Sequence, residues 1–122
     1  MHIEQRRRDS VTVLDVDGPM TIEIESPDKP VSAAVRRLLV TGQRQLLLNL
    51  HGVPHMDSTG LGEIVEAFLT TARQGGVLKL EHLSPQVQEL LRITRLCTVL
   101  PVFDSEAVAL ASFREPSPHS TT

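Results

Sequence analysis

The chain has 122 residues, 40% hydrophobic and 22% charged, which fits one globular domain with a real core and leaves no room for a second. A net charge of -3 is far from the concentrated basic face that nucleic acid requires, and no stretch approaches the roughly 20 apolar residues of a membrane span. Charge also sits at the N-terminus where a signal peptide needs apolar residues, so a cytoplasmic protein with no nucleic-acid partner and no membrane insertion is expected.

Residues 3–8 and 11–16 are extended runs joined through Asp9 and Ser10, and together they predict an opening β-hairpin. The basic run Arg6, Arg7 and Arg8 falls in the first of them and reads as a solvated strand end. Asp17, Gly18 and Pro19 turn the chain, and residues 20–25 alternate apolar with polar side chains, as a short one-sided strand or an extended loop would. Pro27 and Pro30 break that run and open a first helix, in which Val31, Ala34, Val35, Leu38 and Leu39 share a face; Gly42 ends it.

An apolar run at residues 46–50 has the length of a buried strand, and Gly52 and Pro54 stop it. From Leu61 onward, Leu61, Ile64, Val65, Phe68, Leu69 and Ala72 fall on one helical face, and this second helix stops at Gly75 and Gly76. Leu47, Leu61, Val65 and Phe68 are the expected core. Residues 77–81 return as a strand, with Val77 and Leu78 able to face inward and Lys79 and Glu81 polar. Ser84 is an N-cap residue and Pro85 suits the first position of a third helix, whose Val87, Leu90 and Leu91 cluster. Cys97 is the single cysteine, so there is neither a disulfide framework nor a thiolate metal site; between Leu96 and Val99 it reads as a buried thiol. Residues 100–103 form a last short strand, and Asp104 caps a terminal helix carrying Ala107, Leu110 and Ala111. Residues 114–122 have nothing to bury and are expected to be a disordered tail.

Strands that alternate with helices pack as a mostly parallel sheet. The expected fold is therefore an α/β sandwich over residues 1–113, a mixed sheet with an opening hairpin and about four helices. The helices, each with one apolar face, could all cover the same side of the sheet.

The stretch from Asp57 to Gly62 lies where the buried strand hands over to the second helix. The first turn of a helix carries unpaired N–H groups and a partial positive charge, so a hydroxyl there is well placed to carry a phosphate. Other chemistry fits less well. A hydrolase nucleophile elbow needs glycine two residues before the serine, where this chain has Met56. His51, His55 and Asp57 are possible metal ligands by type, but Gly52 and Pro54 prevent a helical ligand face, so they read as loop residues and no metal or other cofactor is expected. From the residues alone, the favoured reading of Ser58 is a plain helix N-cap with no regulation.

Met56, Asp57, Ser58, Thr59, Gly60, Leu61 and Gly62, following a leucine-rich strand, resemble the signature of the STAS domain, shared by bacterial anti-sigma factor antagonists and the cytoplasmic ends of sulfate transporters. The resemblance continues through Gly75 and Gly76, Ser84 and Pro85, and Phe103 and Asp104, covering roughly residues 3–113. It implies a binding module without catalytic residues, of the stand-alone antagonist type. Ser58 would be phosphorylated by an anti-sigma factor that is also a serine protein kinase, with Thr59 the alternative acceptor and a serine/threonine phosphatase as a further partner. Asp57, Ser58, Thr59 and Gly60 would form the partner-binding surface. A scaffold component of a larger signalling assembly and a transport-associated subunit are the alternatives within the same family. Many antagonists carry Gly-x-apolar-Asp after the second strand; this chain reads Gly18, Pro19, Met20 and Thr21, with Thr21 in place of the aspartate.

Overall fold

The computed structural model describes residues 2–21 and 29–114. The strands are β1 (His2–Arg8), β2 (Val11–Asp17), β3 (Gln45–Gly52), β4 (Val77–Glu81) and β5 (Val102–Phe103). The helices are α1 (Pro30–Val40), α2 (Ser58–Arg73), α3 (Pro85–Ile93) and α4 (Glu106–Arg114), with a single 3₁₀ turn at Leu96–Thr98. The five strands form one sheet in the order β1-β2-β3-β4-β5; β1 and β2 are antiparallel and the rest are parallel. This is the mixed sheet with an opening hairpin and four helices that the sequence predicts. From residue 22 onward the one-sided run at 20–25 lies outside the described residues, and so do residues 115–122 of the expected tail. Arg114 itself, first residue of that tail, is still helical.

The strand order explains where the helices go. Parallel crossovers are right-handed, so strands added one after another in a single direction leave every connecting helix on the same face. Leu46, Leu48, Leu50, Leu78 and Leu80 point to that face and are covered by Val31, Val35 and Leu39 of α1, Ile64 and Ala67 of α2, and Val87 and Leu91 of α3. Among the described residues no strand follows β5, and α4 packs on the opposite face. There Ala109 meets Val11, Val13 and Leu47, flanked by Phe103, Leu110 and Phe113. The expectation that all helices could share one face therefore holds for three of four, and Leu47 is core on the α4 side.

Four local expectations need correction. On α2 the buried stripe is Gly60, Leu61, Glu63, Ile64, Ala67 and Thr71, whereas Leu69 is 42% exposed, Ala72 is exposed, and Val65 and Phe68 are half-buried. The stripe is rotated because α2 packs against both the sheet and α1, which selects small side chains and one carboxylate that an apolar count passes over. Val77 and Leu78 point to opposite faces, as strand geometry demands, and Val77, on the α4 side, is 46% exposed, while Glu81 is fully buried. Cys97 is exposed, because the 3₁₀ turn directs Leu96 and Leu100 inward instead. Asp104 is exposed and does not begin α4; the Ser105 hydroxyl oxygen accepts from Val108 N at 3.2 Å and caps it.

Candidate functional site

The site is a turn braced from two sides. After β3, Val53 N donates to Leu50 O at 3.0 Å, and the chain runs through Pro54 and His55 to Met56, which is buried. Met56 forms an isolated parallel bridge with Met20: Met20 N donates to His55 O at 2.9 Å, and Asp57 N donates to Met20 O at 3.1 Å. On the other side the Gln86 side chain imitates a strand partner. Its Oε1 accepts from Met56 N at 2.8 Å and its Nε2 donates to Met56 O at 3.0 Å, while Ser84 Oγ donates to Pro54 O at 3.2 Å. Gln86 had no signal in the sequence, since a polar residue in the first turn of a helix is unremarkable until its neighbour in space is known.

Asp57 is the N-cap of α2. Its backbone is extended and its Oδ1 accepts from Thr59 N at 2.9 Å and Gly60 N at 3.2 Å, which satisfies two of the donors left over at the helix start. Ser58 is therefore the first helical residue. Ser58 and Thr59 are both exposed, Asp57 is half-buried and Gly60 is buried. A Cβ on Gly60 would overlap Met20 O and lie 2.6 Å from Met20 Cβ, so the segment that bridges Met56 can approach only because residue 60 has no side chain. Of the four residues expected at a partner surface, Ser58 and Thr59 are on the outside, and Gly60 shapes the turn from within. Thr21 follows Met20 immediately and so lies beside the same turn.

The histidines separate. His55 is exposed on the loop before Asp57, whereas the ring of His51 stands edge-on to that of His82 with centroids 5.9 Å apart. His51 and His82 line a cleft of about 330 Å³ with Ser84, Gln88 and Asp104 at the carboxyl ends of β3 and β4. Among the described residues no group of three or more possible ligands is gathered for a metal ion.

What the geometry offers chemically is an exposed hydroxyl at the positive end of a sixteen-residue helix, on a backbone held by five hydrogen bonds from neighbouring segments. Its other neighbour is the Asp57 carboxylate. A hydroxyl so placed is chemically suited to carry an anionic group.

The model of the STAS domain family matches residues 2–109. The chain is 35% identical over 88 residues to the anti-sigma-B factor antagonist of Bacillus subtilis (strain 168), an alignment covering 72% of this chain and 81% of the relative. Among solved structures, an anti-sigma factor antagonist from Mycobacterium paratuberculosis superposes with a TM-score of 0.80 at 18% identity, covering 93% of this chain and 94% of that one. The phosphorylated form of the Bacillus cell fate determinant SpoIIAA gives a TM-score of 0.67 at 15% identity, covering 92% and 99%. At such identities the two structures speak for the fold, and the family match and the Bacillus subtilis relative speak for descent. The chain belongs to the STAS domain family.

Proposed function

We propose that the chain is an anti-sigma factor antagonist, a binding module and not an enzyme. It holds an anti-sigma factor that is also a serine kinase while Ser58 is unphosphorylated, and lets go once Ser58 carries a phosphate. The observation that carries this reading is the exposed Ser58 hydroxyl in the first turn of α2, on a turn fixed from both sides. The chain's likeness to the anti-sigma-B factor antagonist of Bacillus subtilis supports the antagonist role. A serine/threonine phosphatase that restores Ser58 completes the cycle, and Thr59 is the alternative acceptor.

The sign of the switch follows from electrostatics. A phosphate adds about -1.5 to -2 charges at neutral pH, and the helix dipole favours it by about 0.3 to 1 kcal/mol, so the fold persists. In the complex the same group must be desolvated beside Asp57 against a surface that fits a neutral hydroxyl, a penalty borne by the complex alone. A loss of about 3 to 4 kcal/mol lowers affinity a few hundredfold.

The test is calorimetry against the cognate anti-sigma factor kinase, with Ser58→Ala and Ser58→Asp. Ser58→Ala should bind as the parent does and remain unmodified there, and Ser58→Asp should fold normally and bind weakly. Equal affinities, or mass spectrometry placing the phosphate on Thr59 with Ser58 untouched, would overturn the assignment.

A further inference from the structure

Away from the α2 turn, the face of the sheet under α4 holds a cluster of charged side chains that a binding module of this kind does not obviously need. Arg6 on β1 is its centre: Arg6 Nε and Nη2 donate to Asp15 of β2 at 2.5 and 2.8 Å, and Nη2 also donates to Glu106 of α4 at 2.7 Å. Asn49 of β3 donates to Asp15 Oδ1 at 2.8 Å, and Arg8 Nε lies 3.7 Å from Glu106. Beside them Glu81 of β4 is 0% exposed, and neither of its oxygens has an N–H or O–H donor among the described residues. His82 Nδ1 lies 2.8 Å from its Oε1 but in a direction that makes no hydrogen bond, and the His82 ring abuts His51.

A fully buried carboxylate without a donor is strongly disfavoured, and the simplest donor is a proton of its own. The Glu106 carboxylate lies within hydrogen-bonding reach of Glu81 and can accept that proton. Burial, together with Glu106, pushes the Glu81 carboxyl up to about 8, while Arg6 holds Glu106 below the usual carboxylate range. The proton therefore resides on Glu81 and the charge on Glu106, where Arg6 neutralises it.

We propose that Glu81 and Glu106 share a proton that latches α4 onto the sheet, and that loss of this proton frees α4 and uncovers the apolar patch Val11, Val13 and Leu47. The rest of the α4 interface is slight enough for such a bond to matter. Ala109 is its one buried residue, with Leu110 and Phe113 half-buried beside it; besides the Arg6–Glu106 pair, its polar ties include Lys79 Nζ to Ser112 Oγ at 2.7 Å, with Nζ over Phe113 at 4.5 Å, and Arg114 to Asp9 at 2.8 Å, which is exposed. When the latch opens, the proton passes from Glu81 to water, two carboxylates then face each other, and Arg6 and Arg8 cannot neutralise both along with Asp15.

The direction with pH is fixed. The docked state holds Glu81 at about 8 and the released state returns it to its ordinary 4.5, so docking is strongest at the acid end of this window and weakens as pH rises toward 8. The equilibrium shifts by up to about tenfold per pH unit and levels off above the docked value.

Hydrogen exchange of the full chain tests this, read by mass spectrometry on residues 104–114 from about pH 5.5 to about pH 9 and corrected for intrinsic exchange. Protection of α4 should fall by up to about tenfold per unit while β3 stays protected, and Glu81→Gln should remove the slope. Carbon NMR of the wild-type carboxyls keeps the idea exposed to failure if that variant does not fold: one glutamate should titrate far above the others. No carboxyl titrating above about pH 6, an α4 slope of zero, or α4 and β3 losing protection together overturns the proposal. His82→Gln should keep the slope; if it abolishes it, the proton is shared with His82 and not with Glu106, and the latch is refuted.

Discussion

Glu63 supplies what α1 lacks. The residue before α1, Lys29, is in the left-handed region at φ 52° with no capping side chain, and the first turn of α1 has no acid. Glu63 reaches across from α2 and its Oε2 accepts from Ser32 N at 2.8 Å, while Glu66 accepts from Ser32 Oγ at 2.6 Å and pairs with Lys29 at 3.3 Å. A helix start is thus capped by the neighbouring helix, an arrangement that favours a negative charge there. Burial still dominates for Glu63 and pushes its carboxyl above the usual range, against the backbone N–H groups of Ser32 and Val31 that pull it down. A group whose folded value is raised holds its proton longer when native, so its contribution to stability declines as pH rises from about 4.5 through the folded value. Glu63→Ala, which strands the buried Ser32 N–H, should lower stability by about 1 to 3 kcal/mol at neutral pH. Glu63→Gln keeps the acceptor and should flatten the decline; urea titrations at mildly acid and neutral pH distinguish the two.

At the scale of elements, α2 ranks its own side chains in a way that can be measured. Ile64 is 1% exposed and Phe68 only packs against the edge of the core. Ile64→Ala should therefore cost about 2 to 5 kcal/mol and Phe68→Ala clearly less, about 2 kcal/mol, against the roughly 3 to 5 typical of a fully buried aromatic. Denaturant melts of the two variants check the order. The reversal shows what a sequence can and cannot carry. Elements were legible wherever local rules decide them: Ser84 and Pro85 start α3, Gly42 at φ 95° follows α1, and Asp57 precedes α2. The rotated face of α2 was not, because Gly60, Glu63, Ala67 and Thr71 are buried by what lies opposite them, and periodicity registers only how apolar a residue is. The candidate turn was legible as a place, through Asp57 and Ser58, whereas its braces, Met20 and Gln86, come from segments more than 25 residues away and meet it only in the fold.

For the whole molecule, the one-directional strand order gives the two sheet faces unequal protection. Three helices close one side, each tied into the chain at both ends, while among the described residues the other is covered by α4 alone. Among the described residues no helix is long and apolar enough to cross a membrane. The same order leaves β1 and β5 as the rims of the sheet, and they differ in length: β5 is two residues long and offers almost no template, but β1 presents seven. An open strand of that length invites a second copy to add itself edge to edge. Its Arg7 and Arg8, exposed next to the tethered Arg6, gather positive charge at one end of the strand, and charge along an open edge disfavours such pairing. The arginines thus act as a colloidal guard. Replacing Arg7 and Arg8 with threonine should leave the melting temperature nearly unchanged yet make light scattering rise with concentration, and added salt, by screening the repulsion, should carry the parent protein part of the way toward the same self-association.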